Sequence, residues 1–182
     1  MIILEGPDGS GKTTVLERLG YERRAFKALR AEVGGNEPGG TATSNFGGTT
    51  PAHIAYAQEI LKARRENNHA IAFDRFHLSE HVYGPILRGK QELTEEDLNG
   101  LAIYLGRYHI PIILCLPPFE VTLKNVMTAG RERPAYQTEA FLRQAYDGFA
   151  RLTPWAQVVY DFTRDPFPDL FDIRRRPNRE RH

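Results

Sequence analysis

The sequence predicts an α/β fold, a parallel sheet covered by helices on both faces. Short apolar runs alternate with stretches of helical periodicity, and a glycine-rich turn joins the first apolar run to the first helical one. The length of 182 residues suits one domain large enough to bury a core.

Four runs have the length and apolar continuity of buried strands: "MIILE" (1–5), "AIAF" (70–73), "IPIILCL" (110–116) and "QVVYDF" (157–162). "ERRAFKAL" (22–29) is a fifth, left open between helix and strand by its charges. Helices are expected at 14–19, 52–66, 119–128 and 139–152, the last with Phe141, Ala145 and Phe149 along one stripe. Thr94, with Asp97 three residues on, reads as a helix start ahead of Leu98, Leu101, Ala102 and Leu105. Two stretches break the alternation. Residues 34–50, "GGNEPGGTATSNFGGTT", read as an irregular loop of the length that is usually functional or mobile. The tail "DIRRRPNRERH" (172–182) is basic, lacks an apolar face and reads as a solvated end. Residues 1–171 then form a single domain, with no internal repeat and no linker.

Composition narrows the function classes. A formal charge of +1 gives no global attraction to nucleic acid or to a membrane surface. The single cysteine, Cys115, cannot form an intrachain disulfide, so a reducing compartment is expected and the thiol reads as packing in a buried strand. Asp8 and Lys12 interrupt the N-terminus where a signal peptide would be apolar, and no run approaches the length of a membrane span. A soluble, cytoplasmic protein without a membrane partner is the expectation.

The chemistry begins in "ILEGPDGSGKTT", residues 3–14, where Gly6, Gly11, Lys12 and Thr13 complete G-x-x-x-x-G-K-[ST] between an apolar strand and "TTVLERL". A nucleotide polyphosphate needs many donors at once. Small residues let successive backbone N–H groups turn inward at a helix N-terminus, and bulk at Gly6, Gly9 or Gly11 would block that approach. Residues Gly6, Asp8, Gly9, Ser10, Gly11, Lys12, Thr13 and Thr14 are therefore the ATP-binding set. Lys12 reaches the β- and γ-phosphates and the Thr13 hydroxyl is suited to Mg²⁺. A second constellation, "AIAFDRFHLSEHVYG" (70–84), puts Asp74 and Arg75 at the end of a buried strand, where an open α/β sheet forms its ligand crevice. Asp74 suits a metal or a proton there. Arg75 suits an acceptor phosphate through its planar fork.

These segments resemble the thymidylate kinases and their nucleoside monophosphate kinase relatives. "EGPDGSGKTT" is similar to that family's phosphate loop, "NEPGGT" to its "REPGGT" segment, and "DRFHLSEHVYG" to its DR[YH]-x-x-S-x-x-A-Y-Q segment. "LPPFEVTLKNVMTAGRERP" followed by "FLRQAYDGF" resembles its "D-x-P-P-E" helix, arginine-bearing lid and following helix, so the likeness covers residues 1–152 in order. The resemblance implies a P-loop kinase fold with a five-stranded parallel sheet and a lid around 129–137. It implies Asp8 near the acceptor sugar, Glu37 near acceptor and metal, Arg75 on the acceptor phosphate, and Tyr83 lining the sugar and base pocket. Arg131 and Arg133 of the lid would stabilise the transferring phosphoryl group, because Gly9 occupies the loop position where other members carry an arginine. With Asp74 and Thr13 for metal and Lys12, Asp74, Arg75, Arg131 and Arg133 for catalysis, ATP is the expected phosphoryl donor and Mg²⁺ the expected cofactor.

Departures bear on the acceptor. Tyr56 and Ala57 lie about where the family has an arginine against the pyrimidine carbonyl, Gly84 stands at its base-facing glutamine, and Asn36 replaces the arginine before "EPGGT". His77, Ser79 and His81 lie in the same segment; each alone reads more readily as packing or surface. The expected reaction is transfer from ATP to a thymidylate-like deoxynucleoside monophosphate. The alternative is a kinase of 5-hydroxymethyluracil within DNA, in viral DNA hypermodification, with nucleic acid as partner and the host cytoplasm as location. A nucleotide-binding regulatory NTPase is the third reading, and homodimerisation is left open.

Overall fold

A computed structural model describes residues 1–24, 51–66, 70–129 and 137–169. Glu37, Arg131 and Arg133, most of the expected lid, the 34–50 loop and the basic tail lie outside the described residues.

The chain runs β1 (Ile2–Glu5), α1 (Lys12–Leu19), β2 (Glu22–Arg24), α2 (Ala52–Arg65), β3 (Ile71–Asp74), α3 (His77–Arg88), α4 (Glu95–Arg107), β4 (Ile112–Cys115), α5 (Phe119–Thr128), α6 (Glu139–Arg151) and β5 (Val158–Tyr160). All strand pairs are parallel, in the order β2-β3-β1-β4-β5. "ERR" resolves as an edge strand among the described residues, with Glu22 and Arg23 exposed and Arg24 half-buried, so its polar side chains cost little.

Period-two alternation sends the strands' side chains to two cores. Ile3, Ile71, Phe73, Ile112 and Leu114 pack with Tyr56 and Ile60 of α2, Leu78 and Val82 of α3, Leu98 and Leu105 of α4, and Phe149 of α6. Ile2, Leu4, Ala72, Ile113 and Cys115 face the other way, onto Val15 and Leu16 of α1. Helices thus cover both faces, as the apolar runs require.

Thr94 and Asp97 form a full capping box: the Asp97 amide donates to Thr94 Oγ1 at 3.2 Å and the Thr94 amide to Asp97 Oδ2 at 2.9 Å. In α6 Ala145 and Phe149 are buried as expected, but the first position of the stripe is Leu142, and Phe141 is only half-buried, stacked on Tyr83 at 6.1 Å. Helix α3 has no counterpart in the sequence reading. Its N-cap position is Phe76, which supplies no side-chain cap, so the helix shows no start signal, and seven of its first eight residues are buried. Among the described residues no helix is long and apolar enough to cross a membrane.

Candidate active site

The strand order changes direction at β1, which lies between β3 and β4, and the carboxyl ends of these strands open onto the phosphate loop. Gly6, Gly9 and Gly11 have φ of +136°, +77° and +84°. A β-carbon on Gly6 would lie 2.3 Å from the Cys115 carbonyl oxygen of β4, and one on Gly9 would lie 2.5 Å from the Thr122 carbonyl oxygen of α5. The protein's own backbone therefore demands these glycines before any phosphate does. The collision at Gly9 also explains why an arginine is not accommodated at that loop position. Asn125 Nδ2 donates to the Gly9 carbonyl at 2.8 Å and ties α5 to the loop.

Lys12 opens α1 and is buried, its ammonium donating to the carbonyls of Gly6 at 2.8 Å and Pro7 at 2.6 Å and to Ser10 Oγ at 3.3 Å. Burial, and then the nearby Arg75 charge, push its pKa down to about 8. Among the described residues no carboxylate lies within ion-pair distance of this ammonium, although the charges of Asp8 and Asp74 partly offset the effect of burial. Thr13 and Thr14 stand exposed on the first turn of α1.

Asp74 and Arg75 do not pair with each other. Asp74, buried at the end of β3 beside Leu4, forms an ion pair with Arg23 of β2 through one oxygen. Its Oδ1 is buried without a hydrogen-bond partner among the described residues. Arg75 has φ +68°, a conformation uncommon outside glycine, and its amide donates to the Leu4 carbonyl at 2.9 Å. That backbone turns its guanidinium to Asp8 of the phosphate loop and over the Tyr83 ring at 5.0 Å. Gln137 Nε2 donates to the other Asp8 oxygen at 3.1 Å, from the start of the segment leading into α6. Asp8, Arg75 and Tyr83, assigned to the acceptor from sequence, are thus brought together. Asp8, also assigned to ATP, turns its side chain toward this acceptor cluster.

Tyr56 is fully buried, edge-on to Phe76 at 4.6 Å between centroids, so this position builds core. The space a side chain at Gly84 would fill is closed by the ion pair of Glu80 and Arg88, 2.9 and 3.1 Å from an ideal β-carbon. His77 is buried against the Phe76 and Tyr56 rings, and burial followed by the His81 charge pushes its pKa down to about 3, so it is neutral. His81 Nδ1 lies 2.8 Å from the Leu93 carbonyl and 2.8 Å from Gln91 Nε2. Cys115 is buried, and burial raises its thiol to about 12, which leaves it unreactive.

The sequence reading passed over Glu5. This last residue of β1 is fully buried and accepts hydrogen bonds from the amides of Phe76 (3.0 Å) and Leu78 (2.9 Å) and from Ser79 Oγ (2.5 Å). The available signal was an acid closing an otherwise apolar strand.

No family model matches the chain. A thymidylate kinase of Syntrophotalea carbinolica is 25% identical over 191 aligned positions, covering 88% of this chain and 86% of the relative. Among solved structures, the YorR protein of Bacillus subtilis in complex with phosphorylated GDP superposes with a TM-score of 0.61 at 19% identity, covering 94% of this chain and 92% of that one. A deoxyadenosine kinase from M. mycoides with bound dCTP superposes more loosely, at TM-score 0.48 and 16% identity over 91% and 92% of the two chains. The chain has the P-loop kinase fold and is similar over most of its length to a thymidylate kinase, which supports an ATP-dependent phosphotransferase.

Proposed function

We propose that the protein transfers the γ-phosphoryl group of ATP to a thymidylate-like deoxynucleoside monophosphate. The observation that carries this reading is the proximity of two cationic groups beyond the carboxyl ends of adjacent parallel strands: Lys12, after β1, and Arg75, after β3, close enough for one charge to perturb the other. Lys12 neutralises the β- and γ-phosphates. Arg75 leaves Asp8 to grip the acceptor phosphate, whose oxygen attacks Pγ while the bond from Pγ to the β–γ bridging oxygen breaks and ADP departs. Tyr83 lines the acceptor side, Glu37 supports it, and Arg131 and Arg133 cover the transferring group.

The donor set suits a magnesium ion held chiefly by phosphates. Asp74 Oδ1 is a buried oxygen without a partner, and among the described residues no cluster of three acids, histidines or cysteines builds a dedicated cage. Thr13 and Asp74 are the residues that would hold it, and Mg²⁺ would offset charge on the β- and γ-oxygens.

A second reading, phosphorylation of 5-hydroxymethyluracil in DNA, is favoured by one observation: positions 56 and 84 carry a core tyrosine and a glycine closed off by an ion pair, not groups reaching for a thymine. One experiment separates the readings. The protein is incubated with γ-labelled ATP, Mg²⁺ and, separately, each deoxynucleoside monophosphate, unmodified duplex DNA, and DNA containing 5-hydroxymethyluracil. Label on free thymidylate, reduced by Arg75→Ala, supports the first reading. Label on modified DNA alone, falling steeply with salt and on removal of residues 174–182, overturns it in favour of the second. ATP hydrolysis that no acceptor stimulates would leave the regulatory NTPase.

A further inference from the structure

We propose that Glu5 is a positioning residue for the acceptor half of the site: its carboxylate holds the first turn of α3 so that Arg75 meets the acceptor phosphate opposite Lys12. The inference rests on the transfer reaction proposed above and assigns a task to a residue outside the phosphate-loop pattern.

Three observations carry it. The hydrogen bonds that Glu5 accepts from the Phe76 and Leu78 amides and from Ser79 Oγ come from one turn, residues 76–79, which begins immediately after Arg75. One carboxylate oxygen takes two amides and the other takes a hydroxyl, so the orphan donors at the start of α3 are satisfied from another strand, not from the helix's own N-cap position. Glu5 is also covalently joined to Gly6, whose carbonyl receives the Lys12 ammonium at 2.8 Å. A single residue thus connects the donor cation to the acceptor helix.

A carboxylate here is costly. Glu5 is fully buried and has no lysine or arginine ion pair among the described residues; the nearest basic group is neutral His77, with Nδ1 4.0 Å from Oε1. An apolar side chain would fill the volume without that cost but would leave two amides of α3 unpaired. What the carboxylate adds is register between two elements that approach the reaction from opposite sides. Arg75, held at φ +68° between the Leu4 carbonyl and the Glu5-bound turn, has little freedom to find its place otherwise.

The test uses Glu5→Ala, Glu5→Gln, Arg75→Ala and the Glu5→Ala/Arg75→Ala double variant. Misplacement by about 1 Å costs about 10²-fold in such reactions, so Glu5→Ala is expected to lower kcat/KM for the acceptor by about that factor while leaving ATP affinity unchanged. Glu5→Gln, which keeps an oxygen for both amides and turns its NH₂ toward Ser79 Oγ, is expected to restore most of the loss. In the Arg75→Ala background Glu5→Ala should cost nothing further, because it acts through Arg75. Additive losses, or ATP affinity falling in step with acceptor turnover, would overturn the proposal. Amide hydrogen exchange supplies a readout independent of turnover: protection at 76–79 should be lost selectively in Glu5→Ala. If the wild-type protein phosphorylates no monophosphate, the transfer reading fails, and unchanged exchange at 76–79 would refute the tie itself. Should Glu5→Ala not fold, Ser79→Ala removes one of the three bonds, and its partial exchange and turnover defects must appear together.

Discussion

Replacing Gly9 by alanine tests the claim that the phosphate loop's glycines answer to the protein's own backbone. Three costs add. At φ +77° an alanine pays the left-handed penalty of about 1–2 kcal/mol. Its β-carbon would sit 2.5 Å from the Thr122 carbonyl oxygen and 2.8 Å from Val126 Cγ2, so α5 must shift, an overpacking cost of about 1–3 kcal/mol. That shift also strains the 2.8 Å bond from Asn125 to the Gly9 carbonyl, a contribution of about 0.5–1.5 kcal/mol. The expected loss is about 3 to 6 kcal/mol, a large share of the roughly 5–15 kcal/mol that stabilises a typical domain. Gly20 is the internal control: its φ is +64°, but no atom lies within 4 Å of an ideal β-carbon. Gly20→Ala should cost only the conformational term. Urea unfolding of the two variants, with slopes compared to confirm equal exposure on unfolding, isolates the collision. If Gly9→Ala is no more destabilising than Gly20→Ala, the steric reasoning is wrong.

Lys12→Ala should abolish transfer to any acceptor while the far-ultraviolet spectrum stays native, because the missing charge acts on the phosphates; near-normal turnover would remove the donor assignment. Arg131→Ala and Arg133→Ala should each lower kcat by about 10²-fold or more with little effect on the KM for ATP, and lysine should rescue only partly; a change confined to KM would make them ground-state binders. Stability against pH has a worked sign. Burial raises Glu5 from 4.5 to about 7 against its hydrogen bonds, so its contribution is full below 4.5 and is lost as pH rises through about 7. Burial, and then His81, lower His77 from 6.5 to about 3, so the unfolded chain binds the proton the folded one refuses and stability rises with pH between those values. The two oppose each other between 4.5 and 6.5. Glu5→Gln unmasks the histidine, steepening the rise of unfolding free energy by up to about 1.4 kcal/mol per pH unit in that window; chemical denaturation curves that stay parallel to wild type would refute the assignment.

By itself the sequence determined what is written in local chemistry. The phosphate loop was legible because its glycines, lysine and threonine must follow one another along the chain. The cap at Thr94 and Asp97 was legible because both partners lie within one turn, and β1, β3 and β4 were legible because parallel strands buried on both faces read as unbroken apolar runs. The resemblance to nucleoside monophosphate kinases was legible as the order of several such segments. Only the tertiary structure decided what depends on partners distant in sequence. Helix α3 carries no cap signal of its own, and the group that caps it is Glu5, 71 residues before Phe76 in the chain. Arg75 answers to Asp8, 67 residues away, and Asp74 to Arg23, so an acid and an arginine adjacent in the chain are each claimed by another element. Tyr56 and Gly84 became core and contact surface through their neighbours in space. A strand, a loop or a cap is fixed by bonds a few residues long, whereas the cluster of Asp8, Arg75 and Tyr83 is assembled from separate segments whose geometry exists only once the sheet has formed.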